Sequence, residues 1–211
     1  MTKSNETSRA LCLDSHSPRR RLLLESLGVS FFVRTAGEEV EEIIQGQGRG
    51  GSAEVVALER ARVKGLDVKR QLSEDSSVGI HPILSADTIV HLGSEILDKP
   101  RDPKEAESFL YQLSGREHGV VSAVWLCFEG REIQVWRRTI VQFIELSPEL
   151  IAAYIQTGEP FDKAGGYGIQ GVGGTLVQEI RGCYYTVMGL PLRETSQLLS
   201  QAKIPWALHH A

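Results

Sequence analysis

Apolar positions along the chain change period several times, and turn-forming residues fall at the changes. Residues 10–13 (ALCL) are apolar without interruption, which predicts a short buried strand. Residues 15–18 then turn the chain, with Ser17 placed as N-cap and Pro18 as first helical residue. A helix is expected from Pro18 to Leu27, stopped by Gly28. The run VSFFVR reads as a second strand, followed by an acidic stretch (GEEVEE) and a glycine-rich loop (GQGRGG). Ser52 is placed to cap a helix running to about residue 71, although Val55, Val56, Leu58, Ala61 and Val63 match a single apolar face only roughly.

Residues 80–99 predict a β-hairpin in which ILSADTIVHL and EIL flank a two-residue Gly93-Ser94 turn. Asp102 and Pro103 start a helix whose Ala106, Phe109, Leu110 and Leu113 recur at i, i+3, i+4 and i+7. Two long β-rich segments, 118–128 and 132–145, meet at a turn around Glu129, Gly130 and Arg131. Ser147 and Pro148 open another helix to Thr157, which Gly158 stops. The stretch 158–174 is too rich in glycine for a helix and too long for a simple turn, so a shaped loop is expected there. Two short strands (TLVQEI and YYTVMGL) and a helix over 193–202 complete the pattern.

Helices and strands mix without strict alternation, so the expected class is α/β, a mixed sheet with flanking helices and a substantial antiparallel portion. No internal repeat or linker divides the chain. Residues 1–9 read as a flexible N-terminus, 10–202 as a single domain and 203–211 as a C-terminal tail.

Composition narrows the function classes. With 41% apolar and 24% charged residues the chain is ordinary globular protein, and 23 basic against 27 acidic residues leave a net charge of −4. That balance gives no single-signed field for nucleic acid or an anionic membrane, so neither is expected as a partner. Any polyanionic ligand must be held by a local basic cluster. Three widely spaced cysteines, Cys12, Cys127 and Cys183, fit neither a disulfide framework nor a zinc site and read as free thiols. The polar N-terminus lacks a secretory apolar core, and no window nears the roughly 18 apolar residues of a membrane span, so a soluble cytoplasmic protein is expected.

The sharpest local chemistry lies in Ser15-His16-Ser17-Pro18-Arg19-Arg20-Arg21, between a strand and a helix. Helix-start N–H groups, hydroxyls and guanidinium groups together make a polyphosphate receptor; taken alone, the segment also reads as a capped surface helix with solvated arginines. Asp87 stands in an apolar strand, where a cation or proton exchange with water would account for it, as would an outward position at a strand edge. Glu38, Glu39, Glu41 and Glu42 offer a further oxygen ligand for a hard dication, on a run that is otherwise a solvated face. The loop from Asp162 to Gly171 joins close-approach glycines to one amide side chain, Gln170, able to read a base edge.

Other motifs are weaker. Residues 46–51 and 166–171 match G-x-G-x-x-G, but neither follows a first strand with an acidic residue suitably downstream, so a Rossmann site is rejected, and no P-loop motif occurs. The histidines show no paired metal spacing; His16 is a possible cleft neighbour and the others read as surface or packing residues. Cys183 reads as a small packed thiol rather than a nucleophile.

In order, the chain carries LxSxSPRR from Leu13, ARxK from Ala61, ADT from Ala86, KPxD from Lys99, LSGRxH from Leu113, GEPxDKAGGYGIQG from Gly158 and GLPL from Gly189. This series resembles the Maf family, also called septum-formation-inhibitor-like proteins, nucleotide pyrophosphatases related in fold to inosine triphosphate pyrophosphatases. The likeness runs from about Leu11 to Leu199. It implies two lobes around a central cleft, with Ser15, Arg19, Arg20, Lys64 and Lys99 on the substrate and Asp87 as proton acceptor. Arg19, Thr88 and Gln170 match the dTTP/UTP branch rather than the branch acting on 7-methyl-GTP. Asp14 and Ser85 depart from a usual small residue and a glycine, and Cys183 and Thr186 stand where Ser and Asn are common. The acidic Asp-x-Asp-Glu motif is matched loosely by residues 39–42, which makes Glu42, with Asp87, the implied ligand pair of a divalent cation, Mg²⁺ or Mn²⁺.

The resemblance therefore implies hydrolysis of dTTP, UTP or modified pyrimidine nucleotides to the monophosphate and pyrophosphate by a homodimer. The alternatives are a broad purine-type pyrophosphatase and a nucleotide-binding regulator of cell division with little or no hydrolysis.

Overall fold

The computed structural model describes residues 10–46, 51–75, 77 and 79–209. The expected flexible N-terminus (1–9) and most of the glycine-rich loop (47–50) lie outside the described residues. In chain order the elements are β1 (Leu11–Asp14), α1 (Pro18–Ser26), β2 (Phe31–Val33), α2 (Glu38–Gly46), α3 (Ala53–Glu74), β3 (Ile83–Leu92), β4 (Glu95–Leu97), α4 (Pro103–Leu113), β5 (Glu117–Phe128), β6 (Arg131–Phe143), α5 (Pro148–Gln156), β7 (Val177–Arg181), α6 (Tyr184–Met188) and α7 (Leu192–Gln201).

Among the described residues one seven-stranded sheet runs in the order β2-β1-β3-β5-β6-β7, with β4 paired to β3 off that path. β1 runs parallel to β2 and β3, and every other pairing is antiparallel. The expected mixed sheet with flanking helices is thus the fold observed. Strand alternation divides the core between the two faces. Leu11, Leu13, Leu84, Ala86, Val124 and Leu126 pack toward α1 and α7, whereas Cys12, Ile83, Ile89, Val121, Ala123 and Trp125 pack under α3. Because both faces are covered, β5 is buried almost end to end. A third cluster around Leu110, Phe143 and Ile151 joins α4 and α5 to the far part of the sheet.

The arrangement of β3 opens the cleft. One edge pairs with β5 over Ile83–His91. The other pairs with β1 over Ile83–Ser85 and with β4 over Val90–Leu92. On that edge residues 86–89 have no strand partner among the described residues, and the fork exposes Asp87 and Thr88 within an otherwise buried strand.

Several expectations change. The YYTVM segment is helix α6 rather than strand: Gly189, at φ 107°, lets the chain turn back, and Leu190 N–H bonds to Tyr185 O. The acidic stretch begins α2, with Gly37 O accepting from the Val40 and Glu41 amides. The buried face of α3 is Ala57, Arg60, Ala61, Lys64, Gly65 and Val68, while Val55 is exposed, because small residues let the helix lie against the sheet at Trp125. Thr175 and Leu176 belong to a short 3-10 turn rather than to the strand that follows. Ser17 makes no side-chain cap; Ser15 Oγ accepts from the Ser17 amide at 3.1 Å instead. Past α7, Ile204 is buried and Ala207 N–H bonds to Leu27 O at 2.8 Å.

Candidate active site

A cleft of about 500 Å³ lies at the fork, within the size range of small-ligand sites. All nine residues singled out in the sequence line it: Ser15, Arg19, Arg20, Glu42, Lys64, Asp87, Thr88, Lys99 and Gln170. They come from the end of β1, α1, α2, α3, β3, the segment after β4 and the glycine-rich loop, which in sequence span 155 positions (170 − 15).

The basic wall begins at α1. Ser17 makes no side-chain cap on the helix's first turn, a helix start of the kind that can receive an anion, and Arg19 and Arg20 stand in that turn. Arg20 is held rigidly: Nε donates to Gly189 O at 2.9 Å and Nη2 to Thr88 Oγ1 at 3.0 Å. Burial lowers its pKa, opposed by the Asp87 charge. Arg19 spans the mouth to Asp162, Nη1 to Oδ2 at 3.4 Å, and Lys163 also bonds Asp162. Burial alone would raise the Asp162 pKa, but Lys163 and Arg19 bring it below the usual carboxylate range.

The floor is Asp87. Its Oδ2 is buried and has no hydrogen-bond partner among the described residues, although the side chain keeps some surface toward the cleft. Burial pushes its pKa up, against the opposing pull of Lys64, Arg20 and Arg60. A carboxylate held this way has the chemistry to accept a proton or to ligate a cation through oxygen.

α3 brings two cations to the core-facing stripe that a purely structural helix fills with apolar residues. Lys64 Nζ lies 2.8 Å from Glu41 Oε1. Arg60 forks onto Asp98, with Nη1 to Oδ1 at 2.6 Å and Nη2 to Oδ2 at 3.2 Å, and so fixes the segment that presents Lys99. Burial would raise the Glu41 pKa, but Lys64 beside it, with Lys99 and Arg20 further off, brings it down. Glu42 also borders the cleft and is exposed. Sequence reasoning missed the pairing of Glu41 and the roles of Arg60, Asp98 and Asp162; the signal available was that Arg60 precedes Lys64 by four and so shares its helix face.

The loop bearing Gln170 is shaped from beneath. Glu159 Oε1 accepts from Gly173 N–H at 3.0 Å and Tyr154 O–H at 3.1 Å, and Oε2 accepts from Val172 N–H at 3.1 Å. Tyr154 Oη in turn accepts from Gly168 N–H at 3.2 Å. Gly165, at φ 70°, lies where a Cβ would come 2.7 Å from Val90 Cγ1, so the loop packs directly on β3. Gln170 itself is exposed on the cleft wall.

Of the histidines, His16 lines the cleft. His118 is buried against Phe143 and Tyr167, with Nε2 2.7 Å from Tyr167 Oη, and burial takes its pKa down to about 4. His81 packs edge-on to Phe32 and His209 stacks on Trp206. These are packing residues.

Comparison with known proteins agrees with the motif series. The Maf-like protein family model matches residues 10–202. The chain is 44% identical over 191 residues to the dTTP/UTP pyrophosphatase of Shigella sonnei, covering 90% of this chain and 92% of that one. It is 43% identical over 197 residues to the dTTP/UTP pyrophosphatase of Alcanivorax borkumensis, covering 93% and 97%. Among solved structures, a HAM1 protein from Coxiella burnetii is similar with a TM-score of 0.49 at 12% identity, over 92% of this chain and all of that one. With the matched region enclosing every residue of the cleft, the chain belongs to the Maf-like protein family.

Proposed function

We propose that this cleft hydrolyses dTTP and UTP between the α and β phosphates. The observation that carries the reading is the juxtaposition of a buried, unpartnered Asp87 Oδ2 with a wall built from Ser15, Arg19, Arg20, Lys64 and Lys99. The dTTP/UTP pyrophosphatases cited above support the substrate class.

In this mechanism the first-turn amides of α1, Arg19, Arg20, Lys64 and Lys99 take the polyphosphate, and their fixed charges stabilise the transition state. A water oxygen forms a bond to the α phosphorus while the bond from that phosphorus to the bridging oxygen breaks. Asp87 takes the water's proton, and pyrophosphate leaves with the bridging oxygen. Gln170 faces the base, and changing it should alter the preference among bases.

The donor set fits a hard dication, Mg²⁺ or Mn²⁺. Asp87 offers a buried oxygen without a partner, and α2 sets Glu41 and Glu42 on the same cleft. Among the described residues no three His, Cys, Asp or Glu side chains converge. Such ions take one or two carboxylates and complete their shell from phosphate oxygens and water. When bound, the cation supplies charge neutralisation on the phosphates and acidifies the attacking water.

A cytoplasmic setting is consistent with three unpaired thiols and with no described helix being long and apolar enough to cross a membrane. The test is product analysis of dTTP with Mg²⁺ or Mn²⁺. Formation of dTMP and pyrophosphate is expected. Release of orthophosphate, or saturable binding without turnover, would overturn the reading.

A further inference from the structure

We propose that Asp14, with Ser85 as its partner, is a positioning residue that fixes the helix carrying Glu41 against the strand carrying Asp87. The inference deepens the reading above, and only its kinetic arm rests on it.

Asp14 ends β1 and is fully buried. Its two oxygens look to two different parts of the site. Oδ2 accepts from Ser85 Oγ at 2.6 Å, and Oδ1 accepts from the Ala36 amide at 3.0 Å. Ser85 is two residues before Asp87 on β3, so both side chains leave the same face of that strand. Ala36 stands two residues before α2, whose first turn bonds back to Gly37 O. One buried carboxylate therefore ties the strand that holds Asp87 to the start of the helix that holds Glu41.

Other ties to the same short segment run to a different element. Asp67 Oδ2 accepts from Gly37 N–H at 2.9 Å, and Gln71 Nε2 donates to Thr35 O at 3.1 Å and to Asp67 Oδ2 at 2.9 Å. Both residues belong to α3, which also carries Lys64. Thr35, Ala36 and Gly37 are thus each pinned, two to α3 and one through Asp14 to β3. Cutting the Asp14 tie leaves Glu41 registered on Lys64 and α3 packed on the sheet, but it removes this segment's side-chain link to β3 and so loosens the separation between Glu41 and Asp87. Two carboxylates that share a cation and a phosphate depend on that separation, whereas the α1 receptor for the phosphates does not use it.

The experiment compares Asp14→Ala, Asp14→Asn and Ser85→Gly with the wild-type protein. Asn keeps both bonds, since its Oδ1 accepts from Ala36 N–H and its amide donates to Ser85 Oγ. Amide exchange over residues 36–44 is expected to quicken about tenfold in Asp14→Ala, as one lost buried hydrogen bond would give, with β5 unchanged. Mn²⁺, titrated with the α,β-methylene analogue of dTTP, is expected to need at least about fivefold higher concentration for half-saturation, while the analogue alone binds within about twofold of wild type. Under turnover kcat should fall about tenfold and KM change little, the pattern of a lost transition-state interaction. Asp14→Asn should return all of these toward wild type, and Ser85→Gly should reproduce the Mn²⁺ effect in part.

Wild-type exchange over 36–44 in Asp14→Ala would overturn the proposal. So would equal defects in Asp14→Ala and Asp14→Asn, which would assign the effect to charge rather than to placement. Should Asp14→Ala fail to fold, Asp14→Asn and Ser85→Gly decide the same question. A wild-type protein that leaves dTTP intact would sink the hydrolase reading, while the exchange comparison still judges Asp14.

Discussion

Arg20 Nη2 donates to Thr88 Oγ1 at 3.0 Å, so the basic start of α1 and the residue following Asp87 meet directly across the cleft. The bond has a definite polarity. Ser122 Oγ donates to Thr186 O at 2.7 Å, which uses its only hydrogen, and Thr88 Oγ1 lies 2.8 Å from Ser122 Oγ. Thr88 must then donate to Ser122 and offer a lone pair to Arg20. A residue expected to govern specificity is placed to act through the guanidinium it orients.

That relay makes Thr88→Val informative, because valine keeps the volume and removes the acceptor. With Arg20 buried, losing one charge-assisted bond should lower kcat/KM for dTTP by about tenfold to a hundredfold, from roughly 1.5–3 kcal/mol. Thr88→Ser retains the hydroxyl and should stay near wild type. Steady-state kinetics on the two variants check this, and equal values would detach Thr88 from Arg20.

Asp87 carries an opposed pair of consequences. In the proposed mechanism Asp87 is the proton acceptor, so its change to Asn should cost about a hundredfold or more in kcat, with nucleotide affinity much less affected. Its pKa is raised by burial, so the ionised form is disfavoured in the folded protein. The sign follows from linkage: relative to the unfolded chain, the stability associated with this group is full below the ordinary aspartate pKa and is lost as pH rises through the elevated one. Asp87→Asn should therefore melt higher than wild type at neutral pH, by about 2–4 °C for each kcal/mol regained, and the gap should close in acid below the ordinary aspartate range. In wild type, kcat/KM should fall as pH drops through the elevated pKa, because a base must be deprotonated. Melting curves and pH profiles for both proteins test the two halves separately.

The sequence displayed some of this plainly and concealed the rest for physical reasons. Ser52, Asp102 and Ser147 each cap the helix that follows, and Gly93-Ser94 turns the β3–β4 hairpin, since local chemistry decides those features. The cleft residues were legible through ordered motifs rather than through periodicity. Helix α2 was not: it shows few apolar positions, Val40 and the buried Ile44 among them, beside a glycine-rich stretch. So short an amphipathic signal leaves the rotational phase open, and that phase is what separates Glu41 from Glu42. YYTVM carries aromatic and β-branched residues that favour strands, yet it is held helical from outside, by Ser122 on Thr186 O and Thr139 on Cys183 O. In the sequence Asp14 and Ser85 stand as two separate departures from the family pattern. In the fold they are each other's partners.

Gly65 illustrates how packing overrides helix propensity beside the site. A Cβ there would lie 2.3 Å from Cε3 and Cζ3 of Trp125, a fully buried ring. Ala would gain up to about 1 kcal/mol of helix propensity, but overpacking costs about 1–3 kcal/mol, so Gly65→Ala should lower the melting temperature. Because Lys64 is the adjacent residue, kcat should fall as α3 is pushed from the sheet. Adding Trp125→Phe removes part of the opposing ring and should make the double variant less destabilised than the two single changes summed. Additive losses would show that the contact is not what excludes a side chain.

The acidic helix poses the last discrimination. Glu41 lies 2.8 Å from Lys64 and its charge reaches Asp87, whereas Glu42 is exposed on the cleft wall. Neutralising Glu41 leaves Lys64, itself buried, without its partner carboxylate, and removes a charged oxygen from the cleft that Asp87 also lines. Glu41→Gln should therefore lower kcat about a hundredfold, on the scale of about 2–4 kcal/mol for a well-aimed charged group, and should raise the Mg²⁺ concentration for half-maximal rate. It should also shift the acid limb of the rate profile to lower pH, since the Glu41 charge raises the Asp87 pKa. Glu42→Gln, with an exposed carboxylate screened by solvent, should cost much less on both counts. Parallel rate profiles over pH and Mg²⁺ for the two variants rank them, and a larger loss at Glu42 would reverse the assignment of the second carboxylate.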